Sequence, residues 1–123
     1  MTTAGTRIMV GVDFSHNSDR ALQHAVALAK KLEGTLLLCY VGEPPPTVMV
    51  PEQLVERQID YAGFYEQQLR GLRDEKLPQD VPCETFLVLG DPVREMLELI
   101  DRQKPDLVVV GSHGRGAILR ALL

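Results

Sequence analysis

Apolar residues along this chain follow two alternating rhythms. Short continuous runs read as buried strands, and stretches with apolar residues at steps of three and four read as amphipathic helices. The first run is Ile8-Met9-Val10-Gly11-Val12, which stops at Asp13. Ser15, Asn17 and Ser18 then offer capping oxygens for a helix whose stripe is Ala21, Leu22, Ala25, Val26, Leu28, Ala29 and Leu32. Lys30 and Lys31 suit its last turn, and Gly34 reads as its stop. Thr35 to Val41 is the second run, followed by a stiff loop opening with Gly42-Glu43-Pro44-Pro45-Pro46 and reaching about residue 51.

The next segment, Glu52 to Lys76, places Val55, Ile59, Ala62, Tyr65, Leu69 and Leu72 on one helical face, weakened slightly by Gly63 and Gly71. Cys83 to Leu89 is a third strand, polar enough to belong at a sheet edge. Gly90 ends it, and Asp91-Pro92 opens a helix with Asp as N-cap and Pro at the first helical position. Val93, Met96, Leu97 and Ile100 form that helix's stripe, and Pro105 closes the connection. Asp106 to Gly111 is the fourth and most apolar strand. Beyond a glycine turn, Ala117 to Leu123 starts a fourth helix. The order βαβαβαβ(α) predicts an α/β fold with an open parallel sheet, right-handed crossovers and helices on both faces. No repeat or linker divides residues 1–123, so a single domain is expected.

Composition narrows the function classes. The chain is 45% hydrophobic and 24% charged, which is ordinary for a globular protein. Its net charge is −4, aromatics make up 5%, and Trp is absent, so neither a basic nucleic-acid surface nor a base-stacking platform is expected. Cys39 and Cys83 lie inside apolar runs without metal or redox spacing, and read as buried reduced thiols. No signal peptide is visible in Met1 to Thr6, and no run approaches the roughly 20 residues of a membrane span. A cytoplasmic protein with no membrane partner is the expectation.

The chemistry gathers at strand ends. Ligands of open parallel sheets bind outside the carboxyl ends of strands where strand order reverses. There the first strand delivers Asp13-Phe14-Ser15 and the fourth delivers Gly111-Ser112-His113-Gly114-Arg115-Gly116. Glycines at these spacings allow close backbone approach, successive N–H groups form an anion nest, and a following helix adds its dipole. A plain glycine-rich turn is the alternative. The turn lacks the Lys of a phosphate-binding Walker loop and is not the G-x-G-x-x-G of a dinucleotide fold. Asp13 is suited to ribose hydrogen bonding, to a metal held through phosphates, or to capping the helix that follows. Asp13, Ser15, His16 and His113 have simpler roles than a hydrolytic triad, and His24 reads as a side chain of the first helix.

Val10-Gly11-Val12-Asp13-Phe14-Ser15, Gly90-Asp91-Pro92 and Asp106 to Gly116 together resemble the universal stress protein family, in matching element order over nearly the whole chain. Nucleotide-binding members carry Gly, two residues, Gly, nine residues, then Gly-Ser or Gly-Thr. Gly111 and Gly114 match the first half, and the nine residues Arg115 to Leu123 bring the sequence to its last position. The resemblance therefore implies a Rossmann-like, adenine nucleotide α-hydrolase-like sheet in the order 3-2-1-4. The family's second Gly-Ser/Thr and fifth strand lie outside the sequence, and the unfinished apolar helix favours a chain cut short over a naturally short one.

The same resemblance implies that Asp13 and Ser15 face ribose or phosphate and that the Val41 backbone meets adenine. Gly111, Ser112, His113, Gly114 and Gly116 would wrap ribose and phosphates. It implies ATP or AMP as ligand, with or without Mg²⁺, a homodimer, and a role as stress-response regulator or sensor. The other readings are an interaction module that binds no nucleotide, and a nucleotide-using enzyme. No general base is evident for efficient hydrolysis.

Overall fold

A computed structural model describes residues 5–13, 16–42 and 61–111. Four strands and three helices alternate within them: β1 (Arg7–Val12), α1 (His16–Leu32), β2 (Thr35–Gly42), α2 (Tyr61–Lys76), β3 (Cys83–Leu89), α3 (Pro92–Gln103) and β4 (Leu107–Val109). The sheet order is β3-β2-β1-β4, and every pair is parallel. This is the expected 3-2-1-4 arrangement, with β3 at one edge.

Side-chain alternation along the central strands divides the core in two. Ile8, Val10 and Val12 of β1, with Leu36, Leu38 and Tyr40 of β2, pack against Ala21, Leu22, Ala25 and Ala29 of α1 and Leu69 of α2. Met9, Leu37 and Cys39 point the other way, onto Met96 and Leu99 of α3. Each fully buried leucine contributes about 2–3 kcal/mol by leaving water. Because β1 and β2 are covered on both faces, continuous apolar runs are what such strands require.

Helix ends follow local chemistry. The Asp91 carboxylate accepts the Arg94 N–H at 3.0 Å, with Pro92 inside the first turn, as expected. α1 ends at Leu32, with Gly34 just beyond it, as expected. The left-handed residue there is Glu33 (φ 52°), not Gly34, while the Gly34 N–H donates to the Ala29 carbonyl at 2.8 Å. Gly34 serves close approach instead: Gly5 and Thr6 cross directly over it, and the Thr6 carbonyl accepts the Thr35 N–H at 2.8 Å.

Three expectations shift. In α3 the buried stripe uses Leu99 in place of Leu97, which is 41% exposed. Both meet a three- or four-residue step, and only the rotation of the helix against Met9 and Leu37 decides between them. In α2, Ala62 is exposed and the packed face begins at Tyr65; the predicted stretch Glu52 to Asp60, with Val55 and Ile59, lies outside the described residues. The strand expected over Asp106 to Gly111 pairs with β1 only through Leu107–Val109. Asp106 is taken up instead by Arg7, whose N–H it accepts at 2.8 Å while its own N–H donates to the Arg7 carbonyl at 2.8 Å. The Arg7 guanidinium reaches on to the Gln103 carbonyl and side chain at 3.3 and 3.2 Å. These bonds bind β1, α3 and β4 together at the amino-terminal edge of the sheet, opposite the strand ends where chemistry is expected.

Candidate functional site

The carboxyl edge of the sheet is stepped. β1 pairs with β2 as far as Val12↔Tyr40 and then yields to Asp13. β2 continues two residues further, so Val41 and Gly42 are paired with Val88 and Leu89 of β3 but extend past the last pair with β1. On its other side β1 pairs with β4 as far as Val10↔Val109. Val110 and Gly111 follow, with Val110 reaching within 3.8 Å of a Cβ built at Gly11. The notch above β1 is therefore bounded by the Val41–Gly42 main chain on one side and by Gly111 on the other. It is also where strand order reverses, because β1 is flanked by β2 and β4 while α1 and α3 lie on opposite faces.

Asp13 stands at the floor of this notch and is half-buried. Its N–H donates to the Ser18 hydroxyl at 3.2 Å, and Ser18 is a buried polar residue of α1, 6% exposed. That bond ties the Asp13 main chain, and hence the origin of its side chain, to α1. Ser18 was expected only as a capping residue, and nothing in its spacing separates a hydroxyl that caps from one that anchors the preceding strand.

Of the predicted site residues, then, Asp13, Val41 and Gly111 come together around one edge. Val41 is there as a strand residue paired with Val88 of β3. Ser15, Ser112, His113, Gly114 and Gly116 lie outside the described residues, as does Arg115. Among the described residues no group of three or more His, Cys, Asp and Glu gathers in a way that could hold a metal ion. His24 is exposed on α1.

The two cysteines differ from each other. Cys39 is buried and its thiol donates to the Val10 carbonyl at 3.2 Å. Burial pushes its pKa up to about 12, so the reactive thiolate is suppressed. Cys83, expected to be buried as well, is only half-buried at the start of β3. Burial also raises its pKa, and the Arg73 guanidinium draws it part of the way back. It borders a cleft of about 420 Å³ with Arg73, Leu77, Pro78 and Val81, at the sheet edge opposite Asp13 and Gly111. Native protein treated with a disulfide reagent near pH 8 is therefore expected to release one equivalent slowly, from Cys83. The second equivalent should appear only on unfolding. Equal reaction of both thiols in the native state would contradict the burial of Cys39.

No helix among the described residues is long and apolar enough to cross a membrane. The sequence matches the universal stress protein family over residues 5–123. The universal stress protein in the QAH/OAS sulfhydrylase 3′ region of Thermus aquaticus is 31% identical, the alignment covering 90% of this chain and 80% of that protein. The crystal structure of a universal stress protein in complex with cAMP is 26% identical, with a TM-score of 0.58 over 98% of this chain and 82% of the other. A universal stress protein family protein from Arabidopsis thaliana with AMP bound shares the fold, with a TM-score of 0.63 and 20% identity over 94% of this chain and 82% of its own. With the family match spanning all but the first residues, and with the expected strand order in place, the chain belongs to the universal stress protein family.

Proposed function

We propose that this chain binds an adenine nucleotide in the notch above β1 and acts as a nucleotide-dependent regulator or sensor in the stress response. The observation that carries the reading is the convergence of three different groups at one sheet edge. The Val41–Gly42 main chain outruns β1, Asp13 is anchored through Ser18, and Gly111 follows β4. Their chemistry fits the ligand. An extended main-chain edge offers N–H and C=O groups to a purine edge, a carboxylate suits ribose hydroxyls, and a glycine admits close approach of sugar or phosphate. The relatives holding cAMP and AMP support an adenine ligand for this fold.

ATP or AMP, with Mg²⁺ on the phosphates of ATP, is the ligand in this reading. Ser15, Ser112, His113, Gly114 and Gly116 complete the ribose and phosphate contacts. No residue is assigned a catalytic role. We extend the proposal to one domain over residues 1–123, to a homodimer and to a cytoplasmic location. The homodimer rests on the family resemblance, and the other two rest on the sequence pattern and composition.

The test is direct. Purified protein is denatured and its supernatant separated by anion exchange with detection at the adenine absorbance; the refolded or ligand-free protein is titrated calorimetrically with AMP and with Mg-ATP. Stoichiometric release or uptake of either nucleotide is expected. A protein that releases none and takes up none is an interaction module without nucleotide, and the proposal falls.

A further inference from the structure

The part of the notch formed by β2 is main chain, and main chain must be held in place by something else. Tyr40 is the last β2 residue paired on both sides, to Val12 of β1 and Leu87 of β3. One residue further, among the described residues, the strand is paired with β3 alone. The Tyr40 ring leaves the sheet on the α1 and α2 face and is 8% exposed. It stacks on the ring of Tyr65 with centroids 4.8 Å apart and planes at 17°. Phe64 stands edge-on to the same Tyr65 ring at 5.5 Å, although it is 55% exposed itself. The end of β2 is thus pinned to α2 by an aromatic pair immediately below the point where the strand outruns β1.

We propose that Tyr65 is a positioning residue for the adenine side of the site: stacked on Tyr40, it holds the Val41–Gly42 main chain at the height where a purine edge meets it. The inference rests on the nucleotide reading given above. Tyr65 touches no ligand in this account. It acts through Tyr40, whose Cα is in register with Val12, the residue before Asp13. An aliphatic side chain would fill part of the same space without the flat contact that sets the ring separation and, through it, the strand end. A phenyl ring would keep that contact.

Three variants separate positioning from packing. Tyr65→Leu removes the stack, Tyr65→Phe retains it, and Leu72→Ala loosens the same helix about two turns away, where Leu72 packs against the same core. Calorimetric AMP affinity is measured at a temperature where all are folded, alongside amide hydrogen exchange at Val41 and Gly42. Tyr65→Leu is expected to weaken AMP by about five-fold, the scale of one aromatic pair, and to speed exchange at Val41 and Gly42 but not at Leu36 to Leu38. Tyr65→Phe should match wild type in both, and Leu72→Ala should leave AMP affinity unchanged. Equal weakening by Tyr65→Leu and Leu72→Ala, or no weakening by either, overturns the role. If wild-type protein takes up no AMP, the nucleotide reading falls separately. The exchange data then decide the positioning role alone: faster exchange at Val41 and Gly42 in Tyr65→Leu supports it, and unchanged exchange refutes it.

Discussion

Gly34→Ala is expected to lower the unfolding free energy by about 2–3 kcal/mol, and Gly71→Ala to raise it by about 0.5–1 kcal/mol, although the chemical change is the same. At Gly34 a Cβ would collide with the Thr6 carbonyl oxygen and lie 3.3 Å from the Thr6 carbonyl carbon. These are backbone atoms, and they cannot swing aside. The same oxygen accepts the Thr35 N–H, which leads into the first β1–β2 pair, Arg7↔Thr35. Relief of the collision must therefore open that pair or displace Ile8, which is fully buried and lies 3.5 Å from the new atom. Gly5 lies on the opposite side of the crossing, where its own Cβ would come within 2.8 Å of the Glu33 carbonyl. Gly71, by contrast, is exposed in α2 with no atom within 4 Å of a Cβ, so alanine there only restricts the unfolded chain. Urea midpoints at unchanged slope measure both, and the Gly34 variant should melt roughly 10 °C lower. A loss below about 1 kcal/mol at Gly34 would mean that the Gly5–Thr6 segment is not held against the turn.

That crossing also shows where sequence reading stops. A glycine after a helix signals a left-handed residue, and the chain does turn left-handed there, but on Glu33 (φ 52°). The need for glycine at the next position comes from a segment that approaches from 28 residues earlier in the chain (Gly34 and Thr6), which no local pattern contains. What the apolar runs did carry was the burial of β1 and β2 and the edge position of β3, because both follow directly from which side chains meet water.

The site divides in the same way. Asp13 and Gly111 were legible because each follows the end of an apolar run, and strand ends on one side of a parallel sheet must converge. The neighbouring placement of β1 and β4 came from the family resemblance, since loop lengths alone do not order four strands. Ser18 was read as a cap, and its bond to the Asp13 N–H depends on the angle at which α1 leaves the sheet. In the sequence Tyr40 and Tyr65 belong to two separate apolar patterns. Their stacking depends on α2 crossing the end of β2, a tertiary fact with no signature in either pattern.

Substitutions at Gly111 are expected to grade nucleotide binding by side-chain size. Gly111 is half-buried and stands just past the last β1–β4 pair, on the side of the notch opposite Val41. In the proposed complex its backbone is the surface that sugar and phosphate approach, so each added carbon occupies ligand volume. Gly111→Ala should weaken AMP by about ten-fold and Gly111→Val by about a hundred-fold or more, which is roughly 2.7 kcal/mol. Gly114→Val should abolish uptake in the same assay. Asp13→Asn keeps the backbone N–H that donates to Ser18 while removing the carboxylate's charge. It is expected to cost about ten-fold, the scale of one hydrogen bond to a charged group. Far-ultraviolet circular dichroism at the assay temperature separates these losses from unfolding. Wild-type AMP affinity in Gly111→Val would place the ligand away from the notch, and wild-type affinity in Asp13→Asn would leave that residue with the capping role alone. The two changes also test each other. Asp13 and Gly111 border the same notch from different strands, so the double variant should lose less than the sum of the single losses if both act on one bound nucleotide.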